Sequence, residues 1–261
     1  MKKEITMASL RRFNWIMGSL HFVQGLLMLF FTLTIDKIGD FLPPLKTYFL
    51  TFDVEQMRLL TDPRKVGDLP FGILVASFLF LSAIAHFIIA FPKTNKIYND
   101  CIQKGYNPFR WYEYALSSSV MIVLVAALFG VYAVDTLILI FLLNACMNLF
   151  GYLMEKMNLQ ADKVSWTPFV FGSLAGIGSW IVIALSAFGN SDLSEVPWFV
   201  FAIVFSYFLF FNLFPINMVL QYKKVGRWAN YLYGERVYIV LSLVAKTVLA
   251  WLVFSGVMQP N

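Results

Sequence analysis

"SLVAKTVLAW", residues 242–251, reads as the middle of a membrane-crossing helix, yet it contains a lysine. The apolar run 237–257 around it holds no other Asp, Glu, Lys, Arg or His, and nine of its residues precede Lys246 while eleven follow. An ammonium so placed sits near the bilayer midplane. Even the lenient insertion scale puts its cost there at about 2.5–3.5 kcal/mol. The side chain is too short to snorkel to water from that depth. Lys246 must therefore be neutralised, paired or consumed chemically.

The surrounding sequence is that of a membrane protein. Of 261 residues, 59% are apolar and 13% charged, against roughly 25% charged in soluble domains. Seven stretches are long enough to cross about 30 Å of hydrocarbon: 13–35, 69–91, 111–134, 136–154, 167–188, 197–220 and 237–257. The first is too long for a signal-peptide core and lacks a small-residue cleavage site. No repeat or linker divides the chain, so the expected architecture is all-α, a single seven-transmembrane bundle over 1–261. The segment 36–68 between the first two spans is too long for a bare connection. Its stretch "TYFLTFDVEQ" (47–56) has strand-like composition, which predicts a short β-hairpin lying over the outer face.

The net charge of +5 is a topology signal and not a nucleic-acid patch. Fourteen Lys and Arg fall before span 1 and in segments 92–110, 155–166 and 221–236, whereas five fall in 36–68. By the positive-inside rule the N-terminus is cytoplasmic and the C-terminus extracellular. Cys101, in a cytoplasmic loop, and Cys146, inside span 4, are not placed to meet, so both are expected to be inert thiols. The chain has no HExxH, phosphate-binding glycine loop or CxxC, which removes the commonest enzyme signatures.

Few polar side chains lie within the spans. "RWYEYALSSSV" (110–120) carries Arg110, Glu113 and Ser117 on one helical face. Arg110 and Glu113 on their own make an ordinary interfacial pair. Lys246 raises the weight of Glu113, the only carboxylate inside a span that can neutralise it. Glu113 lies nearer the cytoplasmic edge than Lys246, so its helix must begin before Trp111. His21 and His86 are the only histidines, and both are within spans, with Gln24 and Ser82 nearby in sequence. A lone membrane histidine is more often a packing residue than a proton carrier, but two together favour a shared polar cluster. Without a third ligand they make no metal site. Asn144 and Asn148 share a face of span 4, where interhelical hydrogen bonding is the ordinary role. Pro215 interrupts span 6 beside Phe211 and Phe214, a group suited to clamping a flat apolar ligand. Gly172, Gly176 and Gly178 allow close approach in span 5.

Seven spans with a midplane lysine in the last and a carboxylate in the third resemble a retinal-binding rhodopsin. The stretches "RRFNWIMGSLHFVQG", "NPFRWYEYALSSSVMI", "LLNACMNLFGY", "FNLFPINM" and "NYLYGERVYIVLSLVAKTVLAW" resemble one branch, the heliorhodopsins, over essentially the whole chain. That resemblance implies all-trans retinal held covalently as a Schiff base on Lys246, with Glu113 as counterion and Ser117 and Ser242 as polar neighbours. It implies a proton-accepting cluster of Ser82, His86 and, more distantly, His21. Tyr114, Asn144, Met147, Phe211, Phe214 and Pro215 would wall the pocket. The inverted orientation of the branch agrees with the independent charge count. Where pumping rhodopsins carry an aspartate one turn before the lysine, this chain has Ser242. Where outward proton pumps carry an acid eleven residues after the counterion, it has Leu124.

The expected function is a non-enzymatic light sensor with a slow photocycle and no ion pumping. The alternatives are a light-driven transporter or light-gated proton channel, and a retinal-free scaffold regulating a cytoplasmic enzyme. Expected partners are membrane lipid, a second copy of the chain in a homodimer, and a cytoplasmic signalling protein. Nucleic acid is not among them.

Overall fold

Asparagine, glycine and histidine line the inner edge of the first helix, while leucine and phenylalanine face out. In α1 (Met7–Thr34) the buried residues are Leu10, Asn14, Gly18, His21, Gly25, Met28 and Thr32, a stripe at helical spacing. Phe22, Val23, Leu26, Phe30 and Leu33 lie outside it, exposed. This is the pattern of a helix solvated by lipid, in which polar groups turn inward to find partners. The structure, a computed structural model, describes residues 5–189 and 198–258, and of Phe199 and Val200 only the backbone.

After α1 come a single turn, α2 (Asp36–Gly39), and the strands β1 (Pro44–Asp53) and β2 (Arg58–Asp68). Then follow α3 (Phe71–Ala90), α4 (Pro92–Gln103), α5 (Pro108–Leu128), α6 (Val134–Met157), α7 (Thr167–Phe188), α8 (Trp198–Tyr222) and α9 (Tyr231–Met258). Seven of these helices are long and apolar enough to cross a membrane, and the chain is a multi-pass membrane protein. They pack as a ring in which α1 meets α3 and α9, α3 meets α5, α5 meets α6, α6 meets α7, and α8 meets α9. Trp180 of α7 against Tyr207, Phe208 and Phe211 of α8 closes the circle. Within the ring α5 is the most enclosed span, which puts whatever it carries at the centre of the protein.

The two ends of the bundle are set by side-chain ties. Lys37 Nζ donates to the Met258 carbonyl at the hairpin end, and Arg11 Nε donates to the Ala90 carbonyl at the other. The hairpin is longer than expected. β1 and β2 pair antiparallel from Pro44↔Asp68 to Asp53↔Arg58, and Tyr48, Leu50, Phe52, Leu59 and Val66 are exposed. Its base is fixed to the bundle by the Lys46 N–H donating to the Tyr132 carbonyl at 2.9 Å. Asp53 Oδ1 accepts the N–H groups of Glu55 and Gln56 and folds the tip.

Span boundaries differ from expectation where charge or glycine intervenes. α5 starts at Pro108, earlier than 111, because Asn107 caps it: the Asn107 side chain accepts the Arg110 N–H. It stops at Leu128, short of 134, and Gly130 turns the chain at φ 83°. α9 begins at Tyr231, well before 237. Segment 92–110 is not simply a loop, since 92–103 is the amphipathic helix α4, and Cys101 lies buried on its inner face. Cys146 is exposed, and both thiols are free.

Candidate functional site

Lys246 does not stand alone. Its Nζ donates to Ser82 Oγ at 2.5 Å, to Glu113 Oε1 at 2.6 Å and to Ser242 Oγ at 3.1 Å. Those contacts use all three donors of the ammonium. The Ser82 hydroxyl, accepting from the lysine, in turn donates to Glu113 Oε1 at 2.7 Å. α5 and α9 run in the same direction, and helical side chains lean toward the N-terminus. The long lysine therefore reaches down toward a carboxylate that begins lower in the bundle. Glu113 and Lys246 side chains are 9% and 4% exposed, so an isolated charge of either sign would be strongly penalised, and the pair satisfies both. Ser117 is fully buried and close to the carboxylate, although its hydroxyl lies outside good hydrogen-bond geometry.

Glu113 pairs with Lys246, and the ordinary interfacial pair of Arg110 with Glu113 does not form. Arg110 turns the other way and bridges Glu155 of α6 and Glu235 of α9 through its two terminal nitrogens. Neither acid was anticipated as interior, because they fall just outside 136–154 and 237–257. Asn107 joins them through its N–H to Glu155 Oε2 at 2.9 Å and its Nδ2 to Glu235 Oε2 at 2.8 Å.

The histidines meet. The His21 and His86 rings stack at 5.5 Å with 14° between planes. His86 Nδ1 is 2.7 Å from Asn14 Oδ1, while Asn14 Nδ2 donates to the Leu10 carbonyl at 2.9 Å. That orientation of the amide makes Oδ1 an acceptor, so Nδ1 of His86 carries the hydrogen and Nε2 remains able to accept. Asn14 was not singled out in the sequence. Ser82 belongs to the Lys246–Glu113 contact and not directly to the histidine pair. Among the described residues, no three His, Cys, Asp or Glu side chains gather as a metal site.

Beside Lys246 runs a cavity of about 320 Å³ lined by α5, α6, α7, α8 and α9. Tyr114, Met147, Phe211, Phe214 and Pro215 line it as expected walls, together with Trp111, Met121, Trp180, Tyr207 and Met218, which were not foreseen. Asn144 stands behind the wall: its Nδ2 donates to Ser118 and Ser119, and Asn148, one turn on, reaches the cavity. Phe214 meets Tyr114 edge-on at 5.2 Å, and Trp180 meets Phe211 in the same way at 5.4 Å. Such crossed rings bound a flat slot. A Cβ added to Gly176 would come within 2.7 Å of Met147 Sδ, so glycine there keeps the slot open.

A family profile, that of the heliorhodopsins, matches residues 10–258. The chain is a heliorhodopsin. No curated protein matches it. Heliorhodopsins are retinal-binding rhodopsin photoreceptors and not a classical enzyme family, and this heliorhodopsin has the features that retinal needs. The apolar slot has ligand-sized volume, crossed aromatic walls, a glycine cradle and a primary amine at its lining.

Proposed function

We propose that this heliorhodopsin is a light sensor carrying all-trans retinal covalently on Lys246, with a slow photocycle and no ion pumping. The observation that carries the reading is the single ion pair of Lys246 and Glu113, at 2.6 Å, beside the apolar slot. When bound, retinal supplies an aldehyde that condenses with an amine and a polyene that isomerises in light. The chain supplies the rest. Lys246 anchors, Glu113 balances positive charge at the lysine nitrogen, and the hydroxyls of Ser82 and Ser242 fix the distance. Trp111, Tyr114, Phe211 and Phe214 hold the polyene flat and exclude water. The His86 Nε2, free to accept, and the stacked His21 offer a place for a displaced proton.

The absence of pumping is argued from Ser242, one turn before Lys246, and from Leu124, which is 1% exposed in the core where a pump carries an acid. The described parts of α7 and α8 contain no Asp or Glu. The observation that favours the other reading, a transporter or proton channel, is the buried Arg110–Glu155–Glu235 group. Illuminated vesicles or cells decide between them. We expect no sustained pH change and no stationary photocurrent, whereas a steady, protonophore-sensitive signal would establish transport.

In this reading the N-terminus is cytoplasmic. The support is the distribution of basic residues, fourteen at the end that includes α4 and five at the hairpin end. An epitope at the N-terminus should be shielded in intact cells and one after Asn261 accessible. The reverse labelling would overturn the orientation. The basic end is where a cytoplasmic signalling protein would dock, and the exposed apolar strand residues support association with a second copy of the chain.

A further inference from the structure

Arg110, Glu155 and Glu235 are 5%, 2% and 1% exposed, so one cation and two carboxylates share a closed space. Among the described residues, no second cation pairs with these acids. Lys246 is matched by Glu113, and Arg236 is exposed with its guanidinium over Phe13 at 5.2 Å. The other groups facing the cluster are His86 from α3, Tyr98 from α4, Glu113 and Tyr114 from α5 and Tyr238 from α9, with Asn14 alone from α1. Tyr231 donates to Glu155 from α9, and Tyr222 approaches it from α8. None of these adds positive charge while the histidine is neutral. Burial pushes the Tyr98 phenol up to about 12, so it stays uncharged. An unmatched buried carboxylate takes up a proton rather than persist as a charge.

The hydrogen bonds say which carboxyl holds it. Glu155 accepts from Arg110, from the Asn107 N–H at 2.9 Å, from Trp111 Nε1 at 2.6 Å and from the Tyr231 hydroxyl at 3.3 Å. Among the described residues, Glu235 accepts from Arg110 and Asn107 Nδ2 alone. The donor-rich group is the ionised one. Glu235 also lines a small cavity of about 30 Å³ together with Glu113, His86 and Ser242, and Glu155 does not. That space can hold a bridging water.

We propose that Glu235 is a neutral acid at rest and the proton store of the light-sensing site, exchanging its proton with Lys246 through this cavity and the Ser242 hydroxyl, which lines the cavity and accepts from the lysine at 3.1 Å. The proposal rests on the retinal-binding reading given above. After light drives the proton of the Lys246 nitrogen onto His86, the O–H bond of Glu235 breaks, its proton passes through the cavity to the Ser242 hydroxyl, and that hydroxyl hands a proton on to the nitrogen. The His86 proton then returns to Glu235. Each proton is accounted for, and none crosses the membrane.

Infrared spectroscopy of the retinal-free chain at neutral pH tests the resting state. We expect a carboxylic-acid C=O band that is shifted in Glu235→Asp and lost in Glu235→Gln. A wild type without the band, or a band that survives in Glu235→Gln, overturns the proposal even if one variant folds poorly. With retinal bound, wild type and Glu235→Gln should both be coloured, and the variant should recover its dark absorption at least about tenfold more slowly. Equal recovery would overturn the exchange. A chain that never colours with retinal would instead overturn the retinal-binding reading, while the infrared band still decides where the proton rests.

Discussion

Lys246→Ala, supplied with all-trans retinal, is expected to show no visible absorption band, whereas the wild type is coloured. The loss should be complete and not graded, because Lys246 is the only primary amine among the residues lining the slot. Retinal that merely occupies the slot stays an aldehyde and absorbs in the near ultraviolet. The substitution also strands Glu113, which would then have Ser82 as its remaining hydrogen-bond donor. Breaking one partner out of a buried pair commonly costs about 3–5 kcal/mol, and protonation of the acid relieves part of this. Folding can therefore be checked separately by thermal unfolding in detergent. A coloured alanine variant whose band resists borohydride would place the attachment elsewhere.

Glu113→Gln should produce the second-largest effect. The positive charge at the Lys246 nitrogen has one carboxylate within hydrogen-bond reach, at 2.6 Å, and its other two partners are the neutral hydroxyls of Ser82 and Ser242. In a design with two acids, losing one is buffered by the other. Here the two further acids, Glu155 and Glu235, are engaged with Arg110. With the carboxylate gone, the nitrogen is a desolvated cation without a partner and sheds its proton at neutral pH. The variant should exchange most of its visible band for a near-ultraviolet one. The sign follows directly: acid restores the proton and the colour, and a small added anion should do the same. His86→Ala should leave the dark colour largely intact and alter the intermediates, since a neutral imidazole adds little to the resting charge. A dark pH titration of the spectrum measures both variants. A Glu113→Gln band that stays visible into alkaline pH without added anion would identify another counterion.

Much of this arrangement is legible in the sequence alone. Lys246 and Glu113 were legible because each is a lone charge in an apolar run, and lone charges in lipid must find each other. The partners of Arg110 were not legible. Glu155 and Glu235 sit just beyond the hydropathy limits of their spans, so they read as surface acids, and with Glu113 given to Lys246 the sequence named no other partner for Arg110. Helix ends are where such readings are weakest. Trp180 and Tyr207 escaped notice because, among 27 phenylalanines, an aromatic residue carries no contrast. Asn14 and α4 were missed because their places are tertiary: Asn14 is defined by His86, and α4 buries Tyr98 and Ile102 against neighbours far away in sequence.

The inward polar stripe of α1 reverses the usual map of mutational tolerance. In a water-soluble protein, the interior accepts one hydrophobe for another and the surface accepts almost any polar residue. Along α1, Leu20, Val23, Leu26 and Leu27 are exposed, and any apolar residue of similar helix propensity should serve at those positions. Asn14, Gly18 and His21 are fixed by the neighbours they touch. A Cβ on Gly18 would press to 2.9 Å from the Phe87 ring and 3.0 Å from His86 Cβ. Redesign of the outer shell, even toward a detergent-free variant, can therefore proceed without disturbing the chemistry, while the least hydrophobic positions of the helix are the ones that admit no exchange.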